Sequence, residues 1–546
     1  MRLKGKLGAT AVVLVAIFGL ALCGSGCGEY YRPVAVPFPQ PGGDTQPLRH
    51  ALVVSRNGPC VTGTSADCDT GTAVVIDVSG DDAVAVFTGA DGIGRDPVYA
   101  VAPTGTDYVV NEVDNSVSPV VLGSVGGQNA ITLPQPTSKN PTITPAVPVS
   151  AASAQGKLFV AESMRNNVAV IDLSTNVFTT EIPVGTNPVA LVATPDGTQL
   201  YCLNQGDSTV TVILPANNTV FTTISVGTNP VWGAASSDGT RVFVVNQGDS
   251  TVSVIGTTTD MVVNTLSVGT GPNYIVYDPM LKRAYVTSPA GGSLSIVENA
   301  TAAAPTVTTV PLSAAPCNGT TPISVTALAD GTRAYVADQA GNSVCILNTT
   351  SNTFTKRICL VQEPPTGSPP TAPCVGSAAP AFIASDSNSF RVYTANQLPA
   401  NFQTAAFPVS SISRKNITNL ATGVVTGLVT VTTTGSIPFV AGQPVTISGV
   451  QPDTSFNGVF GITSTHQNDP TLAANEFTYV QNGFPNSAAA VGTAAVLPYV
   501  SLIQTANDSL VPNDNEVTDN ASLNLITPPP LTIDAGGTPT FIIMTP

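Results

Sequence analysis

Five aromatic residues stand at one register of a recurring pattern. Tyr99, Trp232, Tyr274, Phe382 and Phe541 each follow by two positions a proline that opens an apolar stretch, and Ser150, Ala190 and Ser324 hold the same place in three further copies. Aromatic rings at one level of a ring-shaped scaffold can line a funnel for a sugar or another flat ligand. They serve equally as packing between neighbouring sheets, and strand alternation does not say which side they face. The loops Asn204-Gln-Gly-Asp207 and Asn246-Gln-Gly-Asp249 supply oxygens of the kind that bind calcium. One Asp per loop falls short of the six or more ligands calcium takes, and turn chemistry accounts for the same residues. The expectation is therefore no metal and no cofactor. Glu112, Asp114 and Glu162 could form a carboxylate pair for general acid–base work, though such residues in turns commonly serve solubility. His50 and His466 lie in different regions, and no nucleophile elbow, zinc helix or phosphate loop is present in the sequence. The expected catalytic set is empty.

Elements must position these residues, and composition says of which kind. The 546 residues include 48 Gly and 46 Pro, and only 10% are charged. That balance disfavours helical bundles and favours strands with many turns. A formal charge of −15 lacks the basic footprint that nucleic acid requires.

The prolines Pro148, Pro188, Pro230 and Pro272 are spaced by 40, 42 and 42 residues. Each interval holds four short alternating strands divided by Gly, Asn, Asp and Pro turns, which is the pattern of one propeller blade. Pro97, Pro322, Pro380 and Pro539 extend the series to eight, with seven as the alternative because the last unit is irregular. The stretch 48–56 begins at a second strand, and the chain from Pro539 supplies a lone first strand. The C-terminal strand is therefore expected to close the first blade, removing free sheet edges. The fold class is all-β: a propeller of four-stranded blades, over residues 48–415 and 497–546, with a small inserted β-module at 416–496. That insert carries Gln443-Pro-Val-Thr-Ile-Ser-Gly449 and Phe456-Asn-Gly458 among alternating strands.

The second strands read LYCLN at 200–204, VFVVN at 242–246, AYVAD at 334–338 and VYTAN at 392–396. Here the chain resembles the YVTN-type β-propeller repeat proteins of bacterial and archaeal cell surfaces, over roughly residues 48–400 and 498–546. The resemblance implies a propeller fold and a surface role, with distant similarity to lactonase and quinoprotein propellers.

Arg2, Lys4 and Lys6 precede an apolar run from Leu7 to Leu22 and then Cys23-Gly-Ser-Gly-Cys27. This reads as an export signal over residues 1–27. It resembles a bacterial lipoprotein signal, which implies acylation of Cys27, a membrane held through the lipid, and an outer-membrane or cell-surface address. An uncleaved anchor helix and ordinary cleavage nearby are the alternatives. Residues 28–47 form a Pro-rich tether. Export brings an oxidising compartment, so Cys60 and Cys68 are expected to pair locally. Cys317, Cys345, Cys359 and Cys374 allow three pairings, and Cys202 reads as a lone buried thiol.

The turns after second strands share a face with the links between blades, and the inserted module enters through one of them. The expectation is a non-enzymatic envelope scaffold that holds a protein or glycan partner on this face. The alternatives are a lactonase- or quinoprotein-like enzyme at the channel mouth and a surface-layer-like structural protein.

Overall fold

The computed structural model describes residues 50–56, 70–78, 82–103, 105–121, 128–136, 140, 142–360, 374, 378–386, 388, 390–398, 406–418, 425–466, 469–481, 486–489, 492–511, 532–535 and 538–544. The signal, the tether, Cys27, Cys60 and Cys68 lie outside the described residues.

Eight antiparallel sheets follow one another along the chain. Blade 1 is closed as expected: the strand Thr538–Met544 pairs with His50–Arg56, with Val53 opposite Ile542 and Val54 opposite Phe541. Blades 2 to 7 each run inner to outer in chain order. Their inner strands are Pro97–Val101, Pro148–Ala154, Pro188–Ala193, Pro230–Ala235, Tyr274–Asp278 and Pro322–Ala327. Blade 8 starts with Pro380–Ser385. Proline suits the first position of an inner strand, because that edge faces the channel and needs no ladder N–H.

Burial follows the same order. Second strands are sandwiched between neighbouring blades, and Leu200–Asn204 is buried at every residue. Outer strands alternate, as Val177–Pro183 does. Bulges break the register between third and outer strands in blades 1, 3, 4, 5 and 7. Such bulges twist an exposed edge away from further pairing.

In five blades one turn residue also joins the blade to its neighbour. Asn176, Asn218, Asp260, Asn352 and Asp508 sit at φ 49–58° in the turn between third and outer strands. Asn and Asp tolerate this left-handed conformation best among non-glycine residues. Their side chains then accept bonds from the preceding blade: Tyr108 Oη donates to Asn176 at 2.7 Å, Lys157 Nζ to Asn218 at 2.9 Å, and Tyr201 Oη to Asp260 at 2.7 Å. Tyr335 Oη and Arg333 both donate to Asp508.

The insert between the second and third strands of blade 8 is a barrel. Six strands close on themselves: Phe407–Thr418, Val425–Thr433, Glu476–Val480, Gly458–Thr465, Pro444–Ser448 and Thr493–Val496. Its first strand begins at Phe407, upstream of the residue 416 at which the sequence reading starts the module. A single apolar core runs from Tyr335 and Ile346 of blade 7, through Tyr499 and Ile503 of blade 8, into Val445, Phe456 and Phe477 of the barrel. The barrel is thus packed onto the ring rather than strung from it. The outer strand of blade 8 comes in two pieces, Ser509–Leu510 and Thr532–Asp534, both paired with Tyr499–Gln504.

Of the three cysteine pairings left open, the structure forms Cys317–Cys345 and Cys359–Cys374, both on blade 7. Cys202 is a free, buried thiol, and burial pushes its pKa up.

Asp260→Ala should lower stability by about 1–3 kcal/mol, because Gln199 Nε2 loses its acceptor and the Tyr201 hydroxyl keeps only the longer bond to Gln199 Oε1. Asp260→Asn should retain most of it. Denaturant midpoints read both, and equal losses for the two variants would refute the lock.

Candidate functional site

The face carrying the second-to-third-strand turns is built from the ends of the second strands. In register with the inner-strand prolines stand Ser55, Asn111, Glu162, Asn204, Asn246, Asp338 and Asn396, with Ser288 in the equivalent place, and all are fully buried. A buried amide must find partners. Asn204 Nδ2 donates to Thr209 and Thr211 at 3.0 and 2.9 Å, and Asn246 Nδ2 to Thr251 and Ser253 at 3.0 and 2.9 Å. The amide therefore clamps the second strand to the third. A Cβ at Gly185 or Gly227 would lie 2.5 Å from these amide nitrogens, which explains the glycine in the Val-Gly-Thr-Asn-Pro links.

The Asn-Gln-Gly-Asp loops spend their oxygens on the same links. Asp207 accepts from Thr186 N at 2.9 Å and Thr209 Oγ1 at 2.7 Å, and Gln205 Oε1 accepts from Asn187 Nδ2 at 2.9 Å. Asp249 repeats the pattern with Thr228 N and Thr251. Among the described residues no group of three His, Cys, Asp or Glu side chains is arranged around a common ion position.

One residue inward along each strand, the eight positions of the aromatic register line up. Tyr99 faces Val110, Trp232 faces Val245, Phe382 faces Ala395 and Phe541 faces Val54. The five rings meet in the channel. Going round, the centroid distances are Phe382–Phe541 4.4 Å, Phe541–Tyr99 4.5 Å, Tyr99–Trp232 6.0 Å, Trp232–Tyr274 5.1 Å and Tyr274–Phe382 5.2 Å. Trp232 also reaches Phe541 at 6.3 Å, although their blades lie on opposite sides of the ring. The rings thus touch each other across the axis, and the small Ser150, Ala190 and Ser324 leave room for them to lean. Four rings keep a half-buried face, while Phe541 is only 7% exposed. Burial pushes the Tyr99 hydroxyl up to about 12, opposed by a bond with Ser150. Tyr274 is likewise raised by burial and by Tyr99.

The carboxylates named from the sequence do not converge on this mouth. Glu112 shares Arg56 with Asp96, at 3.5 and 2.5 Å, and Asp114 pairs with Arg95 at 2.6 Å. Glu162 lies beside Arg165, whose guanidinium is held by Glu181 through two bonds of 2.7 Å. Sequence reading missed Arg165 and Glu181. The available signal was Glu162 itself, the one glutamate where the other repeats carry Asn, Asp or Ser. His50 lies at the opposite face, 2.6 Å from Asp107, and His466 Nδ1 in the barrel donates to Leu472 O at 2.5 Å.

No protein-family model matches the chain, and no curated protein matches its sequence. Solved structures similar to it include hydrazine synthase from Kuenenia stuttgartiensis, at 18% identity and a TM-score of 0.43, covering 62% of this chain and 96% of that one. Virginiamycin B lyase from Staphylococcus aureus gives 14% identity and a TM-score of 0.41, over 55% and 91% of the two chains. A putative 6-phosphogluconolactonase from Bacteroides fragilis gives 15% and 0.42, over 58% and 97%. The likeness is one of fold.

Phe541→Ala removes the ring that touches three others, and should cost about 3–5 kcal/mol. The emission of Trp232, the only tryptophan, should shift to the red. Unchanged emission would show that the rings do not pack as a unit.

Proposed function

We propose that this chain is an exported, lipid-anchored propeller of the YVTN-repeat type that serves as a non-enzymatic binding scaffold of the cell envelope. The observation that carries this reading is the barrel. It is the one large elaboration among the described residues, it enters through a second-to-third-strand turn, and it shares a continuous core with blades 7 and 8. A rigid module on one face of a rigid ring is a platform for a partner. On that face Asn204, Asn246, Asp207 and Asp249 bind strands and links together. The eight channel-lining register positions carry no carboxylate, imidazole or amine.

The partner is a protein or a glycan, for which the uncovered parts of the half-buried Tyr99, Trp232, Tyr274 and Phe382 rings offer stacking surfaces. Nucleic acid is disfavoured by the charge of −15. Acylation of Cys27 and the extended tether would hold the ring off the outer membrane.

Two measurements test the reading. Cys27→Ser should move the protein from the membrane fraction to the soluble fraction and abolish palmitate labelling. Titrating the soluble chain 28–546 with peptidoglycan fragments and with a panel of lactones should change Trp232 emission saturably for the glycan without turnover. Saturable lactone hydrolysis would overturn the scaffold reading in favour of an enzyme.

A further inference from the structure

The link from blade 2 to blade 3, residues 142–147, is held in an unfavourable conformation. Val147 has φ 49°, and it is the one β-branched residue with positive φ among the described residues. Where the same pre-proline position takes positive φ elsewhere in the ring it carries Asp96, Asn187, Asn229, Gly271 or Ala379, while the β-branched Thr321 and Thr538 are not among the positive-φ residues. A β-branched side chain there is strained, and strain persists only where surrounding contacts impose it.

Three contacts impose it here. Val147 N donates to Asn115 Oδ1 at 2.7 Å. Val147 O accepts from Ser163 N at 3.2 Å and from Ser163 Oγ at 2.9 Å. Thr144 O accepts from Arg165 Nη1 at 2.9 Å. Two of the three come from the loop 163–166 that follows Glu162.

Arg165 is also the cation of a part-buried cluster. Its Nε and Nη2 bind Glu181 at 2.7 Å, and Nε is 3.5 Å from Glu162 Oε2. Glu162 is fully buried, with Arg165 and Glu181 as its polar neighbours. One guanidinium faces two carboxylates, and its two short bonds go to Glu181, which leaves buried Glu162 the less compensated of the pair.

We propose that the Glu162–Arg165–Glu181 cluster and the strained link 142–147 form a proton-controlled latch on this face, closed when the cluster is protonated and released when it ionises. Ionised Glu162 needs water, which it reaches only if loop 163–166 swings outward. That movement withdraws Ser163 and Arg165 from the link, and the strain at Val147 then favours opening. The charged groups facing Glu162 are Arg165 from its loop and Glu181 from the outer strand. The link 142–147, the inner strand 148–154, the near end of the third strand and the link 184–187 contribute none.

The direction of the pH response follows from the environment. Burial, then Glu181, raises the Glu162 carboxyl from 4.5 to about 8, against the opposing pull of Arg165. For Glu181, burial works against ionisation, but the Arg165 fork outweighs it and holds this carboxyl below its usual range. A carboxyl raised in the closed state stabilises that state fully below its open-state value of 4.5, and the stabilisation is lost as pH climbs toward about 8.

Hydrogen exchange on the full chain, corrected for intrinsic rates, tests this. Between pH 5 and 8 the open fraction of peptides spanning 142–166 should rise by up to about tenfold per pH unit, the limit for one linked proton. The corresponding peptides of blade 4, built on Asn204, should not respond. Glu162→Gln and Glu181→Gln should each flatten the response. Val147→Asn should reduce opening at every pH while keeping the slope, which separates the strain from the proton. An equal pH response in the wild type and both Gln variants, or none in the wild type, would overturn the latch.

Discussion

Eight sheets can stand around one axis only if the last blade meets the first. The pairing of Thr538–Met544 with His50–Arg56 makes that join, and the rest of the architecture depends on it. Without it, the first blade lacks its inner strand, the second strand His50–Arg56 presents an open edge, and the apolar faces of blades 1, 2 and 8 lose their cover. The same strand brings Phe541 to the axis, where it touches Tyr99, Trp232 and Phe382. Closing the ring and filling its centre are thus one event.

Between blades, apolar cores are supplemented by side-chain bonds. With 10% charged residues the chain mixes a few ion pairs, such as Arg333 with Asp508, with amides and hydroxyls. Asn and Asp in left-handed turns accept from the preceding blade, and the buried amides at the second-strand ends fasten the third strands. Each such residue answers a backbone need and a packing need together. This is why the repeat keeps Asn, Gly and Asp where a calcium loop would also want them.

Blade 3 departs from this economy. Glu162 is a glutamate where the other blades carry Asn, Asp or Ser, Val147 is a β-branched residue at positive φ, and Arg165 reaches Glu162 and, through Thr144 O, the link that holds Val147. The proposed latch rests on their coincidence at one junction between blades 2 and 3. Functional and strained positions are where a repeat breaks its own rule.

The sequence by itself determined the blade. A period near forty residues, alternation within it and the proline at each inner strand specify four-stranded sheets, and the unpaired strands at the two ends of the repeat specify how they close. These are local signals, written in spacing and in turn residues. The five aromatics were legible as a register, but their meeting across the axis was not, because alternation leaves the facing side open until eight sheets are placed. The cysteine pairing was equally out of reach, since Cys317 and Cys345 come together only through the path of one link. The cluster around Glu162 was hidden for the same reason: Glu181 lies on a different strand, and only the width of the blade brings it to Arg165. Tertiary structure decided whatever depended on distance between strands, because sequence spacing records the position of a residue along a strand and not what lies beside it.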